Sequence, residues 1–216
     1  MAMRALVFDL DGLILDTESS DFVAWNQVYC ELGLVLPRER WLSAIGTDSS
    51  GFHPLKHLGE LLGPSLDVEA LQRRRRVVRD ELVEALVPLP GVVDTLASAR
   101  RLGLRTGVAS SSPRSWVEGH LQRLGLLGRF EALRCSDDVE RVKPDPALYL
   151  AAVEALGVHA CEAVAFEDSP HGVAAAKAAG LFCVAVPGPM TRGLDFGAAD
   201  LVLDSMAELK VERILG

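Results

Sequence analysis

The chain has 216 residues, 49% of them hydrophobic and 24% charged, which is ordinary for a soluble protein of one large or two modest domains. Its formal net charge of −8 argues against a general nucleic-acid binder, because such proteins present basic surfaces to phosphates. The four cysteines lie far apart without metal-ligand spacing, and the short N-terminal apolar run, broken by Asp9, predicts no signal peptide. No apolar run approaches the roughly 20 residues that span a bilayer, so we expect a cytoplasmic protein without membrane or nucleic-acid partners.

The first part of the chain is predicted to be one strand followed by helices. Residues 4–8 (RALVF) form a short apolar run that is typical of a buried strand. From residue 17 to about residue 85, apolar residues recur at helical intervals. Helices are predicted over residues 22–33, 38–45, 55–62 and 67–86, with a polar, glycine-containing loop over residues 46–54. The basic run Arg73 to Arg76 is surrounded by acidic residues and is interpreted as a solvated helix face.

After the sequence VPLPG (residues 87–91), helices and strands are predicted to alternate. Helices are expected over residues 92–101, 113–124, 146–156 and 172–180, and strands over residues 104–110, 132–135, 163–168, 181–187 and 199–203. Such alternation implies a parallel sheet with helices on both faces. The predicted fold class is therefore α/β, a Rossmann-like parallel sheet flanked by helices, with an inserted all-helical domain. Residues 1–15 and 87–216 form the predicted core, and residues 16–86 form the predicted cap.

Polar side chains follow several predicted strands, and a lysine lies on a turn before a predicted helix. The residues are Asp9, Asp11, Ser110, Lys143, Glu167 and Asp168. Ligands of open parallel sheets bind beyond the carboxyl ends of the strands, so these side chains are expected to meet. Two like charges about 4 Å apart repel by roughly 4 kcal/mol at an effective dielectric constant near 20, against a total stability of about 5–15 kcal/mol. A divalent cation and an ammonium group among the acids would remove this conflict, and hard oxygen ligands favour Mg²⁺.

Four short motifs in this order resemble those of the haloacid dehalogenase superfamily. They are DLDG at residues 9–12, a strand that ends at Ser110, Lys143 in KPDP, and the acidic pair in FEDSPHG at residues 166–172. The first motif alone is weak evidence, but all four at fitting spacing are specific, and the resemblance covers essentially the whole chain. The sequences DGLILDTE and FEDS are similar to those of β-phosphoglucomutases, sugar phosphatases and pseudouridine-5′-phosphatases.

The resemblance assigns the catalytic and phosphate-binding roles. Asp9 would be the nucleophile that attacks phosphorus to form an aspartyl-phosphate. Asp11 would be the general acid that protonates the leaving oxygen and then the base that activates water. Ser110 and Ser111 would bind the phosphoryl oxygens, helped by backbone amides at the start of the next helix. Lys143 would neutralise phosphate charge and keep Asp9 ionised.

The resemblance also implies that Mg²⁺ is the cofactor. Asp9 and Asp168 would bind the ion directly, and Asp11 would contribute its backbone carbonyl. Glu167 would act as a direct ligand or as an acid behind the ligands. In the alternative interpretation Asp11 has a structural role, or one of the paired acids caps the helix that begins near residue 170. For that cap Ser169 is the better candidate.

Other polar residues near the motifs are interpreted without a catalytic role. Asp16 and Thr17 are assigned to the hinge or turn at the junction with the cap. His171 lies three residues after Asp168, and Arg114 follows the serine cluster. Either side chain could reach the site, but the preferred interpretation makes both incidental.

The choice among the activities of this superfamily depends on a few positions. Dehalogenases lack an aspartate at the position of Asp11, and phosphonate hydrolases use a cap lysine, for which Lys56 has no defined place. A phosphomutase is the closer alternative. Mutases, however, carry a histidine at the position of Asp21 and a cap arginine for the second phosphate, whereas residues 46–53 contain neither arginine nor lysine. The prediction is therefore a phosphatase that hydrolyses a small phosphomonoester, either a sugar or a nucleoside phosphate.

A non-catalytic phosphate-binding module on the same fold is the remaining alternative. Such a module would have no need for a nucleophile and an acid together. A small phosphorylated metabolite is the expected partner, and a monomer is compatible with the sequence. The loop at residues 46–53, with Phe22 or Trp25, is the predicted determinant of substrate specificity.

Overall fold

The computed structural model describes residues 2–45, 51–64 and 66–214. Within these ranges the strands are β1 (Ala5–Phe8), β2 (Arg105–Ala109), β3 (Ala132–Arg134), β4 (Ala163–Glu167), β5 (Phe182–Ala185) and β6 (Leu201–Val202). They form one parallel sheet in the order β3-β2-β1-β4-β5-β6.

Helices precede and follow most of these strands. The α-helices of the described ranges are α1 (Thr17–Glu31), α2 (Arg38–Leu42), α3 (Pro54–Leu62), α4 (Val68–Glu84), α5 (Val92–Arg101), α6 (Arg114–Arg123), α7 (Ala147–Ala155), α8 (Pro170–Ala178) and α9 (Val211–Ile214). Short 3₁₀ helices at Leu127–Arg129, Ser136–Asp138, Ala160–Glu162 and Met206–Glu208 were not predicted, because three residues are too few to carry a periodic pattern. None of the helices described here is both long and apolar enough to cross a membrane.

The sheet separates two apolar layers, as alternation along β1 requires. Ala5 and Val7 join the cluster beneath α7 and α8, whereas Leu6 and Phe8 join the cluster beneath α5 and α6. All four β1 residues are buried, which is typical of a central parallel strand covered on both faces. The predicted fold class, a Rossmann-like parallel sheet flanked by helices, is confirmed.

Helices α1 to α4 lie between β1 and α5 in the chain and share an apolar cluster of their own. Helix α1 packs against α4, and the Tyr29 hydroxyl donates to the Pro54 carbonyl of α3 at 3.0 Å. Helix α1 begins earlier than predicted because Asp16 caps it, accepting the Ser19 N–H at 3.2 Å. The division into a core (1–15 and 87–216) and a cap (16–86) stays a prediction.

Candidate active site

The polar residues of the motifs meet at the carboxyl edge of the sheet, beside β1. Phe8, the last residue of β1, pairs with Val108 of β2 on one side and Phe166 of β4 on the other. Because the strand order reverses direction at β1, the residues that follow these three strands surround a crevice. Asp9 therefore lies between the carboxyl ends of β2 and β4.

A buried lysine connects two of the predicted acids. Lys143 Nζ lies 2.7 Å from Asp9 Oδ1 and 2.6 Å from Glu167 Oε1. Tyr149 of α7 donates its hydroxyl to the same Glu167 oxygen at 2.6 Å. Burial favours the neutral amine of Lys143, but the two carboxylates outweigh it and raise the pKa of the lysine. Lys143 is thus held as a cation between two acids.

Three carboxylates form a cluster that could hold a metal ion. Asp9, Glu167 and Asp168 are buried, and each offers an oxygen within 4.8 Å of the others. Burial raises the pKa of Asp9 to about 7, and Glu167 and Asp11 add to this while Lys143 opposes it. Burial likewise raises the pKa of Asp168 well above its usual value, with Asp9 and Glu167 adding to it. Lys143 compensates only one of three charges, so the donor set fits a hard divalent cation.

The glycine of the first motif is needed because of this cluster. Gly12 has a φ of +81°, in the left-handed region, and a Cβ there would collide with the Asp168 carboxylate. A Cβ at Gly172, in the first turn of α8, would collide with the Glu167 carboxylate. Ser169, as predicted, caps α8 by accepting the Gly172 N–H at 3.1 Å. The geometry therefore does not support Glu167 or Asp168 as the N-cap residue of α8.

Asp11 lies outside the carboxylate cluster and accepts hydrogen bonds from three elements. Its Oδ1 accepts from Thr17 Oγ1 at 2.7 Å and from Trp116 Nε1 at 2.9 Å. Its Oδ2 accepts from Ser112 Oγ at 2.7 Å and from Ser110 Oγ at 3.4 Å. The metal contact of the Asp11 backbone carbonyl, which the resemblance implies, stays a prediction.

The serines after β2 differ in what they contact. Ser110 is fully buried, and its hydroxyl also accepts the Ser112 N–H at 3.0 Å. Ser111 Oγ is buried and has no hydrogen-bond partner among the described residues, although Ser111 lines the crevice. An unsatisfied hydroxyl at this place fits an anion oxygen.

Two adjoining cavities extend from the carboxylates into the predicted cap. The reaction cavity, of about 410 Å³, reaches from Asp9 and Lys143 to Arg75 and Arg79 of α4. The cap cavity, of about 420 Å³, is lined by aromatic side chains and a few polar ones. Its walls include Trp25, Trp41, Phe52, His53 and Gln72. Glu18, Asp21 and Arg75 line both cavities and separate them.

The interpretation of Arg73 to Arg76 as a solvated face is wrong for Arg75. Arg73, Arg74 and Arg76 are exposed, but Arg75 is largely buried, pairs with Asp21 and lies over the Trp25 ring. The argument against a mutase depended on Asp21 at the position of a histidine and on the lack of cations in residues 46–53, of which 46–50 lie outside the described residues. Helix α4, in the predicted cap, supplies cations instead. Arg75 and Arg79 are four residues apart on one helix face, and this spacing could have predicted that they lie together.

Several residues that the sequence placed near the site contact other groups. Arg114 pairs with Glu118 and Asp138, away from the crevice. His171 contacts the Ile45 carbonyl at 3.0 Å. Thr17, which was assigned to a turn, instead contacts Asp11. The contacts of Thr17, Trp116 and Tyr149 were not predicted, because hydroxyl and indole groups on unrelated helices carry no motif of their own.

Comparisons with known proteins agree with this geometry. A family model described as haloacid dehalogenase-like hydrolase matches residues 6–186. The YhcW protein of Bacillus subtilis is 45% identical over 213 residues, which cover 99% of this chain and 96% of that protein. The fructose-1-phosphate phosphatase YqaB of Escherichia coli is 34% identical over 184 residues, which cover 84% of this chain and 95% of that protein.

A solved structure extends the likeness to three dimensions. CbbY from Rhodobacter sphaeroides, crystallised in complex with xylulose-1,5-bisphosphate, has a TM-score of 0.76 and 30% sequence identity, and the match covers 96% of each chain. Together with the family match, which spans the strands that carry Asp9, Ser110 and Glu167, this confirms the resemblance seen in the motifs. The chain belongs to the haloacid dehalogenase-like hydrolases.

Proposed function

We propose that this hydrolase is a Mg²⁺-dependent phosphatase that hydrolyses a small phosphomonoester through an aspartyl-phosphate on Asp9. The observation that carries the proposal is the meeting of Asp9, Lys143 and the unpartnered Ser111 hydroxyl at one cavity, beside a buried carboxylate cluster. A nucleophile, a fixed cation and a free hydroxyl are the groups that phosphoryl transfer requires.

Asp9, Glu167 and Asp168 would hold the metal ion, with Asp168 and Asp9 as direct ligands. When bound, Mg²⁺ supplies positive charge to the phosphoryl oxygens and favours the ionised carboxylates. Glu167 already accepts hydrogen bonds from Lys143 and Tyr149 through one oxygen, which suits an acid that orients its neighbours.

In the first half-reaction, an Asp9 carboxylate oxygen attacks phosphorus. The bond from phosphorus to the leaving oxygen breaks, and Asp11 gives that oxygen a proton. Lys143 stays within hydrogen-bond reach of Asp9 and carries charge that the transferring phosphoryl group needs. Ser111 donates its hydroxyl to a phosphoryl oxygen.

In the second half-reaction, water attacks the phosphorus of the aspartyl-phosphate. Asp11, now a carboxylate, removes a proton from that water, and the acyl-phosphate bond breaks to restore Asp9 and release phosphate. Hydrogen bonds from Thr17, Ser112 and Trp116 hold the Asp11 carboxyl group in place for this step.

The leaving group is proposed to be a sugar or a nucleoside. Rings of this kind fit a cap cavity with flat aromatic walls, where Trp25 and Trp41 offer stacking surfaces and Glu18 and Asp21 offer oxygens for hydroxyl groups. The name of the relative YqaB, a fructose-1-phosphate phosphatase, supports a sugar phosphate. A cytoplasmic location, a monomeric state and the absence of nucleic-acid partners stay predictions.

A phosphomutase is the second candidate, and one observation favours it. Arg75 and Arg79 line the reaction cavity and could hold a second phosphate. Arg75 is paired with Asp21 and Arg79 with Asp80, so neither guanidinium is free to bind a second phosphate without losing a partner. The same arginines support the inclusion of sugar bisphosphates, such as the ligand of the CbbY structure, among the substrates to test.

The proposal is tested by phosphate release from a panel of phosphoesters. Sugar phosphates, including fructose-1-phosphate, nucleotides, xylulose-1,5-bisphosphate and short-chain acid phosphates are each assayed with Mg²⁺ and with a chelator. The Asp9→Asn variant should be inactive, whereas Asp94→Asn, at an exposed site on α5, should match the wild type. Release that continues with chelator or in Asp9→Asn would contradict the mechanism.

The alternatives give different results in the same series. Conversion of glucose-1-phosphate to glucose-6-phosphate, without net phosphate release, would identify a mutase. Binding of inorganic phosphate by wild type and Asp9→Asn alike, with turnover of no panel member, would identify a non-catalytic module.

A further inference from the structure

A line of contacts runs from the cap to Asp11 through one tryptophan. Arg79 of α4 lies over the ring of Trp116 of α6, with its guanidinium carbon 4.7 Å from the ring centroid. The indole Nε1 of Trp116 lies 2.9 Å from Asp11 Oδ1. We propose that Trp116 is a positioning residue for Asp11 and that Arg79 holds its ring when the cap lies over the core. This inference rests on the proposed role of Asp11 as the general acid.

The indole N–H fixes the orientation of the Asp11 carboxyl group. An indole nitrogen is a donor only, so Oδ1 of Asp11 must accept from it in every protonation state. Ser112 Oγ, at 2.7 Å from Oδ2, is a hydroxyl that can donate or accept. Oδ1 thus has a neighbour that can only donate, whereas the neighbours of Oδ2, Ser112 and Ser110, are hydroxyls that can reorient. Because the carboxyl torsion is broad and soft, a fixed donor on Oδ1 also keeps the group from rotating.

The surroundings of Trp116 connect this orientation to the cap. The Trp116 ring is partly buried, and the His120 ring of α6 meets it edge-on at a centroid distance of 4.2 Å. His120 belongs to the same helix as Trp116, whereas Arg79 comes from the predicted cap and also bonds Asp80 at 2.6 Å. The contact of Arg79 with the indole therefore forms only while α4 lies against α6. Closure of the cap and alignment of the acid are coupled through this ring.

Leaving-group dependence separates a positioning role from a structural one. An alkyl or phenyl leaving oxygen needs a proton as the bond to phosphorus breaks, whereas 2,4-dinitrophenolate leaves without one. The quantity kcat/KM reports the steps up to phosphorylation of Asp9, so hydrolysis of the intermediate does not enter it. A residue that aligns the acid affects phenyl phosphate far more than 2,4-dinitrophenyl phosphate.

The experiment compares kcat/KM for these two substrates, with Mg²⁺, in four variants. Trp116→Phe, which keeps a ring but removes the N–H, should lose about 10- to 100-fold on phenyl phosphate and less than about threefold on 2,4-dinitrophenyl phosphate. Arg79→Met should show the same selectivity with a smaller loss. Asp94→Asn, at an exposed site on α5 that lines neither cavity, is the control and should show no loss on either substrate.

Asp11→Asn is the reference, with an expected selective loss of about 10²–10⁴-fold on phenyl phosphate. Equal losses on both substrates in Trp116→Phe, or no loss at all, would overturn the positioning role while Asp11→Asn still shows selectivity. Equal losses in Asp11→Asn itself would instead overturn the proposed role of Asp11. Arg79→Met, which changes a side chain outside the core, keeps the test decisive if Trp116→Phe folds poorly.

Discussion

Lys143 and Asp9 form a buried ion pair, with Nζ 2.7 Å from Oδ1 and side chains that are 2% and 10% exposed. The same ammonium group contacts Glu167, so one cation supports two acids. Replacing Lys143 by Met leaves these charges uncompensated, and we expect the free energy of unfolding of the metal-free protein to fall by about 3–5 kcal/mol. The turnover number should fall by at least about 10²-fold. Urea unfolding and phosphate release measure the two effects.

Lys177→Met is the matched control for this prediction. Lys177 pairs with Asp200 at 2.6 Å, but both side chains are about one-third exposed, so the cost should stay below about 1 kcal/mol. Added Mg²⁺ should restore part of the stability of Lys143→Met without restoring its activity, because the metal replaces charge but not the contact with Asp9. Equal stability of the two variants without metal would contradict the interpretation.

The meeting of Asp9, Lys143 and Asp168 could be predicted because it depends on topology alone. Each follows or approaches the carboxyl end of a strand, and the ends of parallel strands share one edge of a sheet. The strands themselves were predictable from short apolar runs such as that of β1, which is buried on both faces. The fold class and the grouping of the acids could therefore be predicted from the sequence.

The contacts that orient these groups could not be predicted in the same way. Trp116 and Tyr149 reach Asp11 and Glu167 from helices whose rotation about their axes is set by packing, not by a motif. The four consecutive arginines of α4 point in different directions around the helix, so composition alone could not separate Arg75 from its neighbours. Geometry between elements, unlike order along the chain, depends on the whole fold.

Gly12→Ala should damage the metal site as well as the fold. Alanine at a φ of +81° is strained, and its Cβ would displace the Asp168 carboxylate. We expect a loss of about 2–5 kcal/mol in stability, from strain together with overpacking, and weaker Mg²⁺ binding. Calorimetric titration with Mg²⁺ and urea unfolding measure the two effects.

Gly33→Ala separates backbone strain from the effect on Asp168. Gly33 has a φ of +70°, but a Cβ there would meet nothing within 4 Å. This variant should lose about 1–2 kcal/mol and keep the Mg²⁺ affinity of the wild type. An unchanged affinity in Gly12→Ala would show that Asp168 is not displaced or does not bind the metal.

Arg75→Met should be more harmful than the same change at the adjacent Arg74. Arg75 pairs with Asp21 where both side chains are about three-quarters buried, whereas Arg74 pairs with an exposed Glu31. Leaving Asp21 unpaired should cost about 1–3 kcal/mol, whereas Arg74→Met removes only a solvent-exposed ion pair and should change the free energy of unfolding much less. The double variant Asp21→Asn with Arg75→Met should recover part of the loss, because no unpaired charge remains. Unfolding free energies that are equal for the two single variants would refute this.

Glu18, between the two cavities, should make stability depend on pH. Burial raises the pKa of Glu18 from 4.5 to about 8, and the charges of Asp11, Asp21 and Asp9 add to this. Between these two pH values the folded protein keeps a proton that the unfolded chain has released. The stability therefore falls as pH rises, by up to about 1.4 kcal/mol per pH unit from this group.

Glu18→Gln removes that dependence because glutamine stays neutral. In chelator, the free energy of unfolding measured from pH 5 to pH 8 should decline less steeply in Glu18→Gln than in the wild type. Asp9 and Asp168 also have raised pKa values, but they titrate in both proteins, so the difference in slope isolates Glu18. Glu31→Gln should keep the wild-type slope, since hydrogen bonds from Arg74 and Gln27 lower the pKa of Glu31 and it is ionised in both states above pH 5. If Glu18→Gln and Glu31→Gln decline in parallel with the wild type, Glu18 is ionised in the folded protein, and the boundary between the two cavities carries a negative charge rather than a neutral carboxylic acid.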